Sequence, residues 1–401
     1  MTYRYSVAST LETRDGAQQL GLASTEAGVF LDGFVERADV IAAALLRVGE
    51  VAATRFYVHP SSIAAAIRAA DPIITVGDGA VRFESLSADC GVAARLDVLE
   101  DGLDASVRAP GTTNVDVGPA LRQLLVGVHR RDPMRLMVSS TGLGVSTLDG
   151  QANERVVTLP ERWFRSLAEL QALASRMTLA ADLSPSQARA FLRGLPGRGG
   201  PQPFWVQPVS AGLRLAASAG PGRIAVGSPE RLRVLEPVLR HATGLRVYGT
   251  ESRGPAASWW EVVLPGARLG LGLSPDLSRG FSGEGALLDQ LTESDPNIDL
   301  ARRGLVGYDL AEQRYFARSL PIGRDLLDGA PRADKARALL DAGKIRESGE
   351  RLLVDGTRGE HLVRLSKNGD TCTCTWYLKH RGDRGPCAHV LAARLYRQAQ
   401  A

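Results

Sequence analysis

Three of the four cysteines in this 401-residue chain stand with a histidine inside one short stretch near its C-terminal end, as Cys372-Thr-Cys374 and Cys387-Ala-His389. Two such tight pairs constrain the local fold more than any other stretch does, because soft donors become useful only where the backbone brings both pairs together. Thr371, Thr373 and Thr375 alternate with the first pair and predict a strand, on which residues two apart share a face, so that Cys372 and Cys374 point the same way. Gly385-Pro386 predicts the entry to a helix running from Cys387 through Val390, Leu391, Leu395 and Tyr396, whose positive end favours a thiolate at Cys387. Four such donors, each about 2.0 to 2.3 Å from one ion, make a closed tetrahedral zinc site. Cys372, Cys374, Cys387 and His389 are therefore the expected ligands of one structural Zn²⁺, with no position left for a reactive water. Iron–sulfur ligation fits less well, since one donor is a histidine.

The length allows two or three domains, each with its own core. A chain that is 44% hydrophobic and 23% charged is not wholly disordered. No apolar run approaches the roughly 18 to 20 residues that span a bilayer, and the start Met-Thr-Tyr-Arg-Tyr-Ser lacks the layout of a signal peptide, which predicts a cytoplasmic protein. Cys90, remote from the cluster in Ser87-Ala-Asp-Cys-Gly-Val, reads as a small buried hydrophobe. The net charge is +4, yet residues 351–401 hold nine Lys/Arg and four Asp/Glu, a difference of +5, so the remainder sums to −1. The basic excess belongs to the segment with the cysteines.

Along the chain, periodicities alternate between those of strands and helices, which predicts an α+β fold: two mixed α+β domains and a small C-terminal zinc finger. The first domain covers 1–195. It opens with a strand at 3–7, has helices at 38–51 and 61–70, and closes with a helix at 161–177 whose Trp163, Phe164, Leu167, Leu170 and Leu173 share a side. Glycines and prolines from Gly194 to Pro203 mark a boundary. The middle region, 204–330, repeats the mixture with no internal repeat of fixed period. In it Val306-Gly-Tyr308 and Arg314-Tyr-Phe316 read either as the wing of a reduced winged-helix unit or as a plain hairpin packed on a helix. The finger domain covers 331–401.

Cys-x-Cys, a spacer and Cys-x-His, followed by the apolar helix Val390-Leu-Ala-Ala-Arg-Leu, resembles the SWIM-type zinc finger of chromatin-remodelling ATPase relatives, plant transposases and many bacterial proteins. More loosely, Gly280-Phe-Ser-Gly-Glu-Gly-Ala-Leu-Leu288, Val306-Gly-Tyr-Asp-Leu and a terminal finger resemble bacterial SWIM proteins encoded beside MoxR-type AAA+ ATPases and von Willebrand A proteins. That resemblance implies binding to DNA or to proteins and no chemistry.

Between the two pairs, Thr375 to Pro386 combines aromatic and basic residues. Lys379, Arg381 and Arg384 can offset the charge of three thiolates on Zn²⁺ and can neutralise phosphates. Trp376 and Tyr377 can stack on unpaired bases or pack on the zinc core. DNA contact through this loop is the leading expectation; the alternative is an adaptor for an AAA+ ATPase or von Willebrand A partner. No phosphate loop, H-E-x-x-H or G-x-S-x-G motif occurs, and the chain is not expected to be an enzyme.

Overall fold

The computed structural model describes residues 10–14, 17–21, 28–56, 72–77, 79–197, 204–251, 254–275, 280–282, 285–293, 295–322, 325–357, 359–366, 369–382 and 384–400. The strand expected at 3–7, the helix expected at 61–70 and most of the glycine- and proline-rich stretch lie outside these residues. The fold is α+β. Among the described residues no helix is long and apolar enough to cross a membrane.

Eight strands form one antiparallel sheet in the order Thr178–Leu183, Gly244–Gly249, Ser258–Leu264, Ala267–Leu273, Val92–Leu99, Ala80–Leu86, Ile73–Gly77 and Gly111–Asn114. The sequence on the two sides of residues 194–203 thus shares a sheet, through the register Ala267↔Val98 to Leu273↔Val92. A second, five-stranded sheet runs Gly150–Arg155, Gly142–Thr147, Arg135–Ser139, Val29–Val35 and Leu103–Arg108.

The chain repeats one pattern in space that it does not repeat at a fixed period in sequence. A strand leads into a helix, and a meander of strands follows. Val29–Val35, helix Ala38–Ala53 and three strands from Ile73 to Leu99 form one unit; Gly111–Asn114, helix Pro119–Val126 and three strands from Arg135 to Arg155 form the next. Each unit lends its first strand to the other: Val29–Val35 lies beside Arg135–Ser139, and Gly111–Asn114 beside Ile73–Gly77. Thr178–Leu183 makes the same exchange. It leads into helix Pro185–Arg193, which Ser184 and Gln187 open with a reciprocal capping box, yet it pairs with Gly244–Gly249 beyond the 3₁₀ helix Pro229–Val238.

Strand alternation divides the large sheet into two unlike faces. Val81, Phe83, Leu96, Val98, Leu269 and Leu271 enter an apolar core shared with helix Ala38–Ala53. The intervening residues, Arg82, Glu84, Arg95, Asp97, Glu261 and Arg268, face the other way, yet all are buried. Helix Glu161–Ala174 and the hairpin Val306–Asp309/Arg314–Ala317 contribute the side chains that meet them. Asp309 receives Arg268 at 2.8 Å and Arg82 at 3.2 Å, with Arg95 at 3.8 Å, and the ring of Phe316 lies 4.0 Å from the Arg82 guanidinium. Arg318, just past the hairpin, donates to Glu84 at 2.8 Å and to Gln171 of the helix at 3.3 Å. The pair of strands read as a wing or a plain hairpin therefore forms a hairpin with Asp309 and Phe316 turned into the sheet.

Burial raises the Asp309 carboxyl, but Arg95, Arg268 and Arg82 outweigh it and hold the group at about 2. Glu261 differs: burial pushes it up to about 7, and Arg268 and Arg95 offset only part of the rise. Replacing Asp309 with Ala leaves three buried guanidiniums short of a partner and should cost about 3 to 5 kcal/mol in a denaturant titration; a loss below about 1 kcal/mol would mean that the arginines are satisfied without it. For Glu261 the folded form holds a proton that the unfolded chain releases near pH 4.5. Stability from this group is thus complete below that pH and is lost as pH rises toward about 7. Glu261→Gln should flatten that limb of the stability–pH curve.

Candidate metal centre

The last part of the chain folds as a four-stranded antiparallel sheet, Ile345–Ser348, Arg351–Gly356, Gly359–Arg364 and Thr371–Cys372, with helices Pro331–Asp341, Thr375–His380 and Ala388–Gln400. The strand expected to carry both cysteines of the first pair stops at Cys372, which pairs with Val363. Cys374 is instead the N-cap of the helix Thr375–His380, its Sγ accepting from the Tyr377 N–H at 3.4 Å. The threonine alternation is outweighed here by a sulfur acceptor that can satisfy an orphan N–H at a helix start. The spacer expected as a loop accordingly begins with six helical residues.

Each sulfur accepts one backbone N–H. Cys374 N donates to Cys372 Sγ, and Val390 N, in the first turn of the last helix, donates to Cys387 Sγ, both at 3.4 Å. His389 turns Nδ1 toward Cys372 Sγ, 3.9 Å away. All four residues are buried, and their donor atoms lie within 4.8 Å of one another. A tetrahedron with metal–sulfur bonds of about 2.3 Å has edges of roughly 3.7 Å, so the spacing suits one small cation. The thiols report the same need. Hydrogen bonds from Cys372 and Cys387 hold Cys374 far below the usual thiol range. Cys372 is held far above it by its bonds with Cys374, the larger effect, and with Cys387. At Cys387 the bond with Cys372 lowers the thiol, but Cys374 and burial raise it to about 11. Cys372, Cys374, Cys387 and His389 thus form the site of one structural zinc, which when bound would supply cross-linking of the strand end to the last helix.

The residues between the pairs divide in two. Trp376 is half-buried, with the Arg332 guanidinium 4.7 Å from its ring and the His380 ring 4.9 Å away, and Tyr377 donates its hydroxyl to the Asp370 carbonyl at 2.6 Å. Lys379, Arg381 and Arg384 are exposed, as is Leu378 at 61%. Arg381 ends the short helix in a left-handed conformation.

Residues that sequence reasoning missed brace the finger, some within it and some against the body. Arg332 donates to the carbonyls of Arg384 and Pro386, each at 2.9 Å. Arg394 bridges Asp370 at 2.6 Å and Asp289 at 2.9 Å. Gly385, at φ +74°, lies against Gly285, where a Cβ would meet the Gly285 carbonyl oxygen at 2.5 Å. Gly285 is in turn fixed by the Glu169 carboxylate, which accepts the N–H groups of Gly285, Ala286 and Leu287 at 3.1, 2.7 and 3.0 Å. In sequence these are ordinary surface-type arginines and a mid-helix glutamate. Only pairing across more than a hundred residues distinguishes Arg394 and Glu169.

Residues 361–398 match the SWIM zinc finger. Together with the Cys₃His geometry, this shows that the chain carries such a finger near its C-terminal end. No curated protein has a sequence that matches this chain. Among solved structures, proliferating cellular nuclear antigen from Entamoeba histolytica is similar at 10% identity and a TM-score of 0.40, over 62% of this chain and 99% of that one. The PCNA2–PCNA3 complex from Sulfolobus tokodaii is similar at 10% identity and a TM-score of 0.43, over 61% and 99%. Likenesses of this strength carry no functional conclusion for the chain.

Native mass spectrometry of protein purified without chelator should find one zinc per chain, and Cys374→Ser should remove it. Amide exchange across 371–398 should then rise sharply, since the metal supplies folding energy to a finger of this size. Retention of zinc by the variant would refute the ligand assignment.

Proposed function

We propose that the finger is a recognition module that contacts nucleic acid, DNA in the first instance, through the phosphates, and that the protein is not an enzyme. The observation that carries this reading is a set of three exposed cations, Lys379, Arg381 and Arg384, on the end of the short helix and the turn after it, between the two ligand pairs. A rigid metal centre holds that turn, so the charges are displayed without the entropy cost of ordering a free loop. Trp376 lies against Arg332, and the Tyr377 hydroxyl is engaged by Asp370, so the reading takes phosphate contact and not base stacking as its mode. Contacts of that kind position a protein on nucleic acid with little sequence preference.

One observation favours a second reading, an adaptor for a protein such as an AAA+ ATPase or a von Willebrand A partner. Leu378 is largely exposed among these cations. Phosphates leave such a side chain unused, whereas a protein surface that buries it gains about 1.5 to 3 kcal/mol.

Titrating labelled duplex DNA of two unrelated sequences at several salt concentrations separates the readings. The nucleic-acid reading expects similar affinities for both and a log–log salt slope of about −2 to −3 for three phosphate contacts. Arg381→Glu with Arg384→Glu should abolish binding, and Leu378→Ser should leave it unchanged. No complex at low salt would end this reading, and loss of a co-purifying protein on Leu378→Ser would establish the other.

A further inference from the structure

A metal-bound histidine usually has its second nitrogen fixed by a carbonyl or carboxylate, which sets the orientation of the ring. His389 departs from that arrangement. With Nδ1 turned toward Cys372, its Nε2 is buried and has no hydrogen-bond partner among the described residues. What meets that part of the ring is the hairpin formed by Arg351–Gly356 and Gly359–Arg364. There Gly356 pairs with Gly359, and Val354 with His361. A Cβ on Gly356 would stand 2.8 Å from His389 Nε2 and 3.1 Å from His361 Cδ2, so the Gly356 backbone, the ligand ring and the His361 ring meet at one point. The two imidazoles pack with centroids 4.3 Å apart at an interplanar angle of 39°. His389 is buried, whereas His361 remains half-exposed, so the second ring lies over the first toward the surface.

We infer that His361 is a positioning residue of the zinc centre: its ring, beside the bare backbone of Gly356, fixes the orientation of His389 by packing where other sites use a hydrogen bond, and covers that ligand against water. Four donors already complete a tetrahedral set, so His361 is not itself a ligand. The role needs a flat ring and not a nitrogen. It also needs residue 356 to have no side chain, because even a methyl group would displace the ligand ring.

The test uses the full-length, zinc-loaded protein and reads zinc release into a chromophoric chelator, with the visible spectrum of the cobalt-substituted protein as a second readout of the ligand set. His361→Ala should speed release by about tenfold, the lower end of what the loss of an outer partner costs a metal site. His361→Phe, which keeps a ring, should stay within about threefold of the parent. Gly356→Ala should behave like His361→Ala. The tetrahedral cobalt spectrum should persist in all of them. Should His361→Ala not fold, His361→Leu fills the strand position without a flat ring and carries the same expectation. Release at the parental rate from the Ala or Leu variant would overturn the inference. So would equally fast release from His361→Phe, which would mean that a nitrogen is required, and so would loss of the tetrahedral spectrum on His361→Ala, which would make His361 a ligand.

Discussion

Three guanidinium groups converge on the carboxylate of Asp309, and the arrangement of the body follows from that meeting. Arg82, Arg95 and Arg268 come from three adjacent strands of the large sheet, one of them from the other side of residues 194–203. Charges removed from water cost several kcal/mol each unless matched by opposite charge and hydrogen bonds. Asp97 within the sheet begins that match, at 3.0 Å from Arg95 and 3.3 Å from Arg268, and the hairpin completes it, with Asp309 also accepting the N–H groups of Ala311 and Glu312. A sheet face written in arginine and carboxylate would otherwise belong to solvent. Here it becomes an interior on which helix Glu161–Ala174 and the hairpin can rest.

That interior reaches the zinc centre through a short chain of contacts. Helix Glu161–Ala174 presents Glu169 to the backbone around Gly285; Gly285 meets Gly385; and Gly385 stands two residues before Cys387. The apolar residues of the helix, the segment after residue 280 and the finger belong to one continuous core, which includes the three metal-binding cysteines. The finger is consequently packed as part of the molecule, with Arg394 as a polar attachment to Asp289, and Leu378, Lys379, Arg381 and Arg384 stand exposed between its two ligand pairs.

The zinc ligands were legible because their chemistry is local and rare: few residue types bind zinc, and two pairs in so short a stretch leave little else for them to do. The helix 161–177 was legible for a similar reason, since Trp163, Phe164 and Leu167 recur at helical spacing, and it forms as Glu161–Ala174. The shape of the spacer was not legible, because a sulfur acting as a helix cap outweighs a weak strand preference at Thr373 and Thr375. The repeated unit was not legible either. Its helices and meanders differ in length from one copy to the next, and what they share is an exchange of first strands, a relation between distant segments that leaves no period in the chain.

Taken by itself, the sequence determined the ligand set, the basic character of the last fifty residues and the α+β character of the whole, because each of these depends on residue type and near-neighbour spacing. The tertiary structure alone decided that the charged strand positions are interior, that a hairpin well past the sheet's last strand in the chain, Ala267–Leu273, helps to neutralise them, and that His361 and Gly356 both meet the ring of His389. Those outcomes depend on which surfaces meet. An arginine on an alternating strand has the same local sequence whether water or a carboxylate is waiting for it.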